Sequence, residues 1–151
     1  MVTFSSNAIR DMVAAATAAK GNETGGVLIG RYSSDFSSAW VEKATAAPSD
    51  SEAGPTWFIR GRSGLDWLLR RSWSAGSHYL GEWHSHPAYH PSPSSDDLQA
   101  IQKIAEDRSY RCQRPILAII GGSFEKDPLL AVTLANRSGR TERLADIRNG
   151  P

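Results

Sequence analysis

The chain is poor in features that would send it to a membrane, an oxidising compartment or a nucleic acid. It has one cysteine, Cys112, among 151 residues. An internal disulfide is therefore excluded, and a reducing, cytoplasmic setting is expected. No apolar run is long enough to span a bilayer, and the N-terminus lacks the basic and apolar blocks of a signal peptide. The formal charge is only +1. Its arginines are scattered, so bulk electrostatics gives no argument for a nucleic-acid partner. No internal repeat or linker divides the chain. With 40% hydrophobic and 22% charged residues, the expectation is one domain over residues 1–151, with a polar tail from about 140.

What is present reads as interspersed helices and strands. Ser5 or Ser6 can cap a first helix with Ile9, Met12, Val13 and Ala16 on one face, ended by Gly21-Asn22. Gly26 to Gly30 is a glycine-bounded apolar strand. Ala39 to Ala44 is its hairpin partner across the Ser33-Ser34-Asp35 turn. Pro48 to Pro55 reads as a loop and Trp57 to Arg60 as a strand. Ser63 can cap a second helix carrying Leu65, Leu68, Leu69 and Trp73.

Tyr79 to His86 is a further strand. Ser94 or Ser95 opens a third helix with Leu98, Ile101, Ile104 and Ala105 on one side. Ile116 to Ile120 reads as a strand buried on both faces, and Leu129 to Ala135 as the last regular strand. The tail is expected to fray or to form a short helix. The absence of regular alternation favours a mixed α/β fold around one curved sheet flanked by helices.

The chemistry concentrates in Gly81-Glu82-Trp83-His84-Ser85-His86-Pro87 and the following Pro91 to Asp97. Residues i and i+2 of a strand share a face, so His84 and His86 can reach one ion, while Trp83 and Ser85 turn the other way. Pro87 ends the strand at an edge or rim. An aspartate early in the next helix can return to the strand end. Asp96 and Asp97 both qualify. Two imidazoles and a carboxylate suit zinc and leave a position for water. Capping competes with this reading, because Ser94 followed three residues on by Asp97 is also a capping box. Ser95 capping while Asp97 binds metal would reconcile the two.

Glu23 stands before Thr24-Gly25-Gly26, where glycines allow close backbone approach. A carboxylate there can serve as general base. His90 is a candidate fourth ligand but reads better as loop surface. His78 reads as an ordinary polar residue, Cys112 as a small buried hydrophobe and Trp83 as core.

These residues resemble the JAMM metalloprotease family, also called MPN-plus or JAB. Its pattern is a distant glutamate, His-x-His-Pro, then seven residues after the second histidine, Ser, two residues and Asp. Glu23, His84-Ser85-His86-Pro87, Ser94 and Asp97 fill every position. The resemblance runs from the first helix through Ile120. It implies the cytidine-deaminase-like JAB/MPN fold and one zinc ion per chain on His84, His86 and Asp97. It also implies Glu23 as general base and acid, and Ser94 as a donor to the oxyanion. The implied activity is isopeptide or peptide cleavage after the C-terminal Gly-Gly of a ubiquitin-like protein.

The compact chain is similar to prokaryotic, deubiquitinase-like members that accompany E1-like and E2-like proteins, including in antiphage operons. The short Pro48–Ser63 and Pro87–Pro93 regions argue against selectivity for particular ubiquitin chains. A zinc peptidase acting on a sulfur-carrier-type protein or a small peptide is the alternative. A non-catalytic scaffold of the same fold is disfavoured, since no ligand position is missing.

Overall fold

The computed structural model describes residues 1–87 and 90–144, and the backbone of 147–149. Ten strands and three helices follow in the order β1 (Val2–Phe4), α1 (Ser6–Ala18), β2 (Gly25–Tyr32), β3 (Ala39–Ala44), β4 (Glu52–Gly54), β5 (Trp57–Ile59), α2 (Leu65–Ser74), β6 (His78–Pro87), α3 (Ser95–Glu106), β7 (Ile116–Ser123), β8 (Asp127–Ala135), β9 (Thr141–Leu144) and β10 (Ile147–Asn149). Eight strands form one mixed sheet in the order β10-β1-β3-β2-β6-β7-β8-β9, and β4 and β5 form a separate hairpin. The expected mixed α/β fold with a sheet flanked by helices is what the chain adopts.

The sheet is curled. Its two edge strands, β9 and β10, are consecutive in sequence, and Leu144 and Ile147 are only three residues apart. Three Cα–Cα steps span at most about 11 Å, so the two edges must come close together. α1 fills the concave side. Ala8, Met12 and Ala16 pack into a core with Phe4, Leu28, Leu80, Trp83, Ile116, Ala118, Ile120 and Val132. The helical spacing of the α1 residues puts them on one stripe. Ser5 caps the helix by accepting the Ala8 amide at 3.1 Å.

The opposite face carries the other two helices. Val27, Ile29 and Tyr79 pack with Leu65, Leu68 and Leu69 of α2, and Leu117, Ile119 and Ala135 pack with Ile101 and Ala105 of α3. The functional strand β6 lies at the centre, antiparallel to β2 and parallel to β7. Pro87 closes it at the rim as expected. A missing amide is tolerated there because the β2 pairing has already ended at Gly25 opposite His84.

A bulge in β6 sets the phase of this strand. Leu28 pairs with Gly81 and Ile29 with Tyr79, leaving Leu80 over. Tyr79, Glu82, His84 and His86 therefore share the α2/α3 face, whereas Leu80 and Trp83 turn to α1. Gly81 makes the bulge feasible. Its φ is +147°, and a Cβ there would lie 1.9 Å from the Ile116 carbonyl oxygen.

Several sequence expectations change. The Pro48–Pro55 segment is no simple loop, because Glu52–Gly54 pairs with Trp57–Ile59. The N-cap of α2 is Gly64, in the left-handed region at φ +77°, not Ser63. Trp73 lies on α2 as expected but is 57% exposed, away from the edge along which the helix docks. In the tail, Thr141–Leu144 pairs with β8, and Ile147–Asn149 pairs with the previously unrecognised β1. The other tail residues, 145–146 and 150–151, lie outside the described residues, as do 88–89 of the proline-rich loop.

Gly81→Ala should lower unfolding stability by about 2–3 kcal/mol, since it adds both a forbidden φ and a backbone clash. Gly64→Ala, with open space around its Cβ position, should cost only about 1 kcal/mol. Urea denaturation of the two variants measures the difference.

Candidate metal centre

Three separate pieces of chain meet at the end of β6. The strand supplies His84 and His86, the first turn of α3 supplies Asp97, and the link between α1 and β2 supplies Glu23. The His84 and His86 Nε2 atoms are 3.1 Å apart. Asp97 Oδ1 lies 3.3 Å from His84 Nε2, and Asp97 Oδ2 lies 3.7 Å from His86 Nε2. Glu23 Oε1 stands 3.9 Å from His86 Nε2. All four side chains are largely sheltered from solvent.

These spacings fit a zinc ion. A tetrahedral ion with bonds of about 2.0–2.2 Å holds its ligands roughly 3.3–3.6 Å apart. The two imidazole nitrogens and the two Asp97 oxygens give separations of 3.1, 3.3 and 3.7 Å, close to that range, and one ligand atom from each of the three residues lies within 4.8 Å of the others. The protonation of His86 and of Asp97 also suits such an ion. Burial, and then the neighbouring His84, lower the pKa of His86 and favour the neutral ring. Burial alone would raise Asp97, but its hydrogen bond and charge interaction with His84 and the Ser94 amide outweigh it. The carboxyl is held down at about 2. A neutral imidazole and an ionised carboxylate are the forms a metal takes.

Asp97 performs two tasks at once. Its Oδ2 accepts the Ser94 amide at 2.7 Å, and Ser94 Oγ accepts the Asp97 amide at 3.1 Å, which completes a capping box. Ser94 is thus the N-cap, and Ser95 is already helical. Oδ1 remains for His84. Asp97 thus closes the capping box and still presents an oxygen to the histidines, so the box orients a candidate ligand. Asp96 lies outside the cluster. His90 is exposed and contacts Ser92 Oγ at 3.1 Å.

Glu23 is anchored through its own backbone. Its amide donates to the Gly54 carbonyl at 2.8 Å, so the β4–β5 hairpin holds it. The next residue, Thr24, donates its amide to Ser85 Oγ at 3.0 Å and accepts the Ser85 amide at 2.8 Å. Ser85 is fully buried. Burial raises the Glu23 pKa, with His84 acting against it and Asp97 with it. Gly25 explains the tightness of the approach: a Cβ there would sit 2.3 Å from the Trp83 carbonyl oxygen and 2.9 Å from His84 Cβ.

The sequence reading did not single out Ser85, Gly54 or the hairpin. Alternation along β6 does turn Ser85 away from the histidines, and a small polar residue on a buried face was the available signal. Cys112 is buried, and desolvation raises its thiol to about 11, which fits the inert reading.

Fold and site together present three side chains that could hold a metal ion, with a carboxylate beside them, a donor set that suits metal-dependent hydrolysis. Residues 5–135 match the family described as prokaryotic homologs of the JAB domain, and the chain belongs to that family.

The chain is 41% identical over 146 residues to a protein of Enterobacter hormaechei subsp. hoffmannii named "CD-NTase/cGAS isopeptidase", covering 97% of this chain and 81% of that protein. A Pseudomonas aeruginosa protein of the same name is 32% identical over 103 residues, covering 66% of this chain and 63% of that one. The fold is shared with a solution structure of a Desulfitobacterium hafniense protein at 24% identity, with a TM-score of 0.72 and coverage of 99% and 94%. Family and relatives support a hydrolase of peptide or isopeptide bonds.

Metal content after desalting should separate ligand from bystander. His84→Ala and Asp97→Ala should lower zinc occupancy at micromolar protein by at least about tenfold, whereas Asp96→Ala should retain it. Retention by Asp97→Ala with loss in Asp96→Ala would reverse the assignment.

Proposed function

We propose that this protein is a zinc-dependent isopeptidase that separates the C-terminal tail of one protein from an amine on another. The observation that carries this reading is the placement of Glu23 beside three ligands drawn from two other elements. A structural zinc site closes with four protein ligands, but here three ligands converge and the second carboxylate, Glu23, stands 3.9 Å from His86. Zinc, when bound, supplies Lewis acidity and an acidified water at neutral pH.

The residues of the chain divide the remaining work. Glu23 accepts the proton of the attacking water and returns it to the departing amine. Its two backbone anchors, at Gly54 and through Thr24 to Ser85, hold the carboxylate in reach. Ser94 Oγ accepts the Asp97 amide with a lone pair, which leaves its O–H to donate to the negative oxygen of the tetrahedral intermediate.

The name carried by the relatives favours a CD-NTase/cGAS-type protein as one side of the cleaved bond. The Gly-Gly tail of a ubiquitin-like protein, with E1-like and E2-like proteins nearby in the same operon, is the second reading and rests on the motif. The proposed role in antiviral defence rests on the resemblance to prokaryotic members found in antiphage operons, and the proposed cytoplasmic setting on the unpaired cysteine. No helix among the described residues is long and apolar enough to cross a membrane.

Cleavage of two reporters tests this, one fused behind a CD-NTase tail and one behind a ubiquitin-like Gly-Gly tail. Wild type should cut the first, and removal of zinc by a chelator should stop it. Glu23→Gln should keep zinc and lose turnover by about 10²–10⁴-fold. Ser94→Ala should lose about 10²–10³-fold through the oxyanion, together with about 1 kcal/mol of stability through the cap. Full activity of Glu23→Gln would remove it as the base, and cleavage of the Gly-Gly reporter alone would favour the second reading.

A further inference from the structure

Arg60, Glu82 and Tyr79 form a sheltered polar cluster that the chemistry above does not use. Arg60 donates from Nε to Glu82 Oε2 at 2.5 Å, from Nη1 to the Gly61 carbonyl at 2.8 Å and from Nη2 to Tyr110 Oη at 3.4 Å. Tyr79 Oη donates to Glu82 Oε1 at 2.7 Å. Both oxygens of Glu82 and all three nitrogens of Arg60 are engaged. The two charged side chains are only 13% and 15% exposed.

An ion pair so placed is a weak source of stability, because desolvation offsets attraction and apolar residues of similar volume do as well or better. What an arginine fork supplies is a fixed relative geometry. The geometry fixed here joins two parts of the candidate centre. Glu82 is two residues before His84 and on the same face of β6. Arg60 directly follows β5, whose Trp57 pairs with Gly54 of β4, and the Gly54 carbonyl holds the Glu23 amide. Asp50 closes the base of the hairpin by accepting the Arg62 and Ser63 amides at 3.0 and 2.8 Å, so the hairpin moves as a unit with Arg60.

We infer that Arg60 and Glu82 are a positioning pair that locks the β4–β5 hairpin against β6 and thereby sets the Glu23 carboxylate over the metal ligands. The inference rests on Glu23 as the base of the proposed reaction. Neither residue touches substrate or metal in this scheme. Ser85 and Thr24 supply one anchor for Glu23, and the pair governs the other. Loss of the pair therefore displaces the base without dismantling the ligand triangle.

The test removes the whole cluster without leaving an unpaired buried charge, in the variant Tyr79→Phe/Arg60→Met/Glu82→Leu. Its thermal midpoint and zinc content should stay near wild type. Hydrogen exchange at the Glu23 amide, read by NMR on the zinc-loaded protein, should speed up by at least about tenfold. Turnover of the reporter that wild type cleaves should fall by roughly 10–100-fold in kcat, with KM nearly unchanged.

Arg60→Lys, which keeps the charge but not the fork, should also lose the Glu23 amide protection. Wild-type protection at Glu23 in a folded triple variant would overturn the inference. If the triple variant does not fold, wild-type protection in Arg60→Lys would overturn it equally. The exchange measurement needs no substrate. A failure of Glu23 as base, seen as an active Glu23→Gln, is therefore distinguishable from a failure of the positioning pair.

Discussion

Asp97 gives its two oxygens to different structures. One takes the Ser94 amide and starts α3; the other faces His84. The orientation of the third candidate ligand is thus fixed by the same bonds that satisfy the first turn of the helix. α3 in turn is held by Ile101 and Ala105 packing on Leu117 and Ile119 of β7. β7 is the parallel neighbour of β6, with Ile119 beside His84, so this packing carries Asp97 toward the histidines. Elsewhere in the centre the same economy holds. Glu23 is placed by main-chain bonds on both sides of it, so a residue on a connecting segment gains the rigidity of the sheet.

The centre was legible because its parts obey local rules. Alternation puts His84 and His86 together, helix-entry chemistry marks Ser94 and Asp97, and two successive glycines flag the close approach beside Glu23. What the sequence did not disclose depends on contacts remote along the chain. Glu52–Gly54 carries no strand-forming run, and pairing with Trp57–Ile59 makes it one. Val2–Phe4 is too short to signal a strand, yet it pairs on both sides, with β3 and β10. Ser63 looks like a cap, but the chain turns through a left-handed Gly64 instead. The periodicity of α2 includes Trp73, which a helix docked only along its Leu65, Leu68 and Leu69 edge leaves outside.

The charged residues divide along the same line. Glu82 and Arg60 stand twenty-two positions apart in sequence, and only the folded sheet brings them into a sheltered pair. Burial of such a pair follows from position on the α2-facing side of β6, which the histidines also occupy. The face that carries the candidate centre is polar along its length, from Tyr79 through Glu82 to His86. The reverse face, with Leu80 and Trp83, belongs to the apolar core around α1. Trp83 keeps a single polar link there, from Nε1 to the Thr45 carbonyl at 2.9 Å.

The bulge at Leu80 has a consequence for how this strand tolerates change in length. A strand is a two-state register in which parity decides the side on which each residue emerges. Here the odd residue restores agreement between two stretches that would otherwise be out of step: Tyr79, which must meet α2, and the pair of histidines, which must meet α3. Deleting one residue between Tyr79 and Glu82 would leave every side chain chemically intact. Either the upstream stretch or the histidines would then emerge on the wrong side. Spacing upstream of His84 is accordingly as much a part of the centre as the histidines themselves.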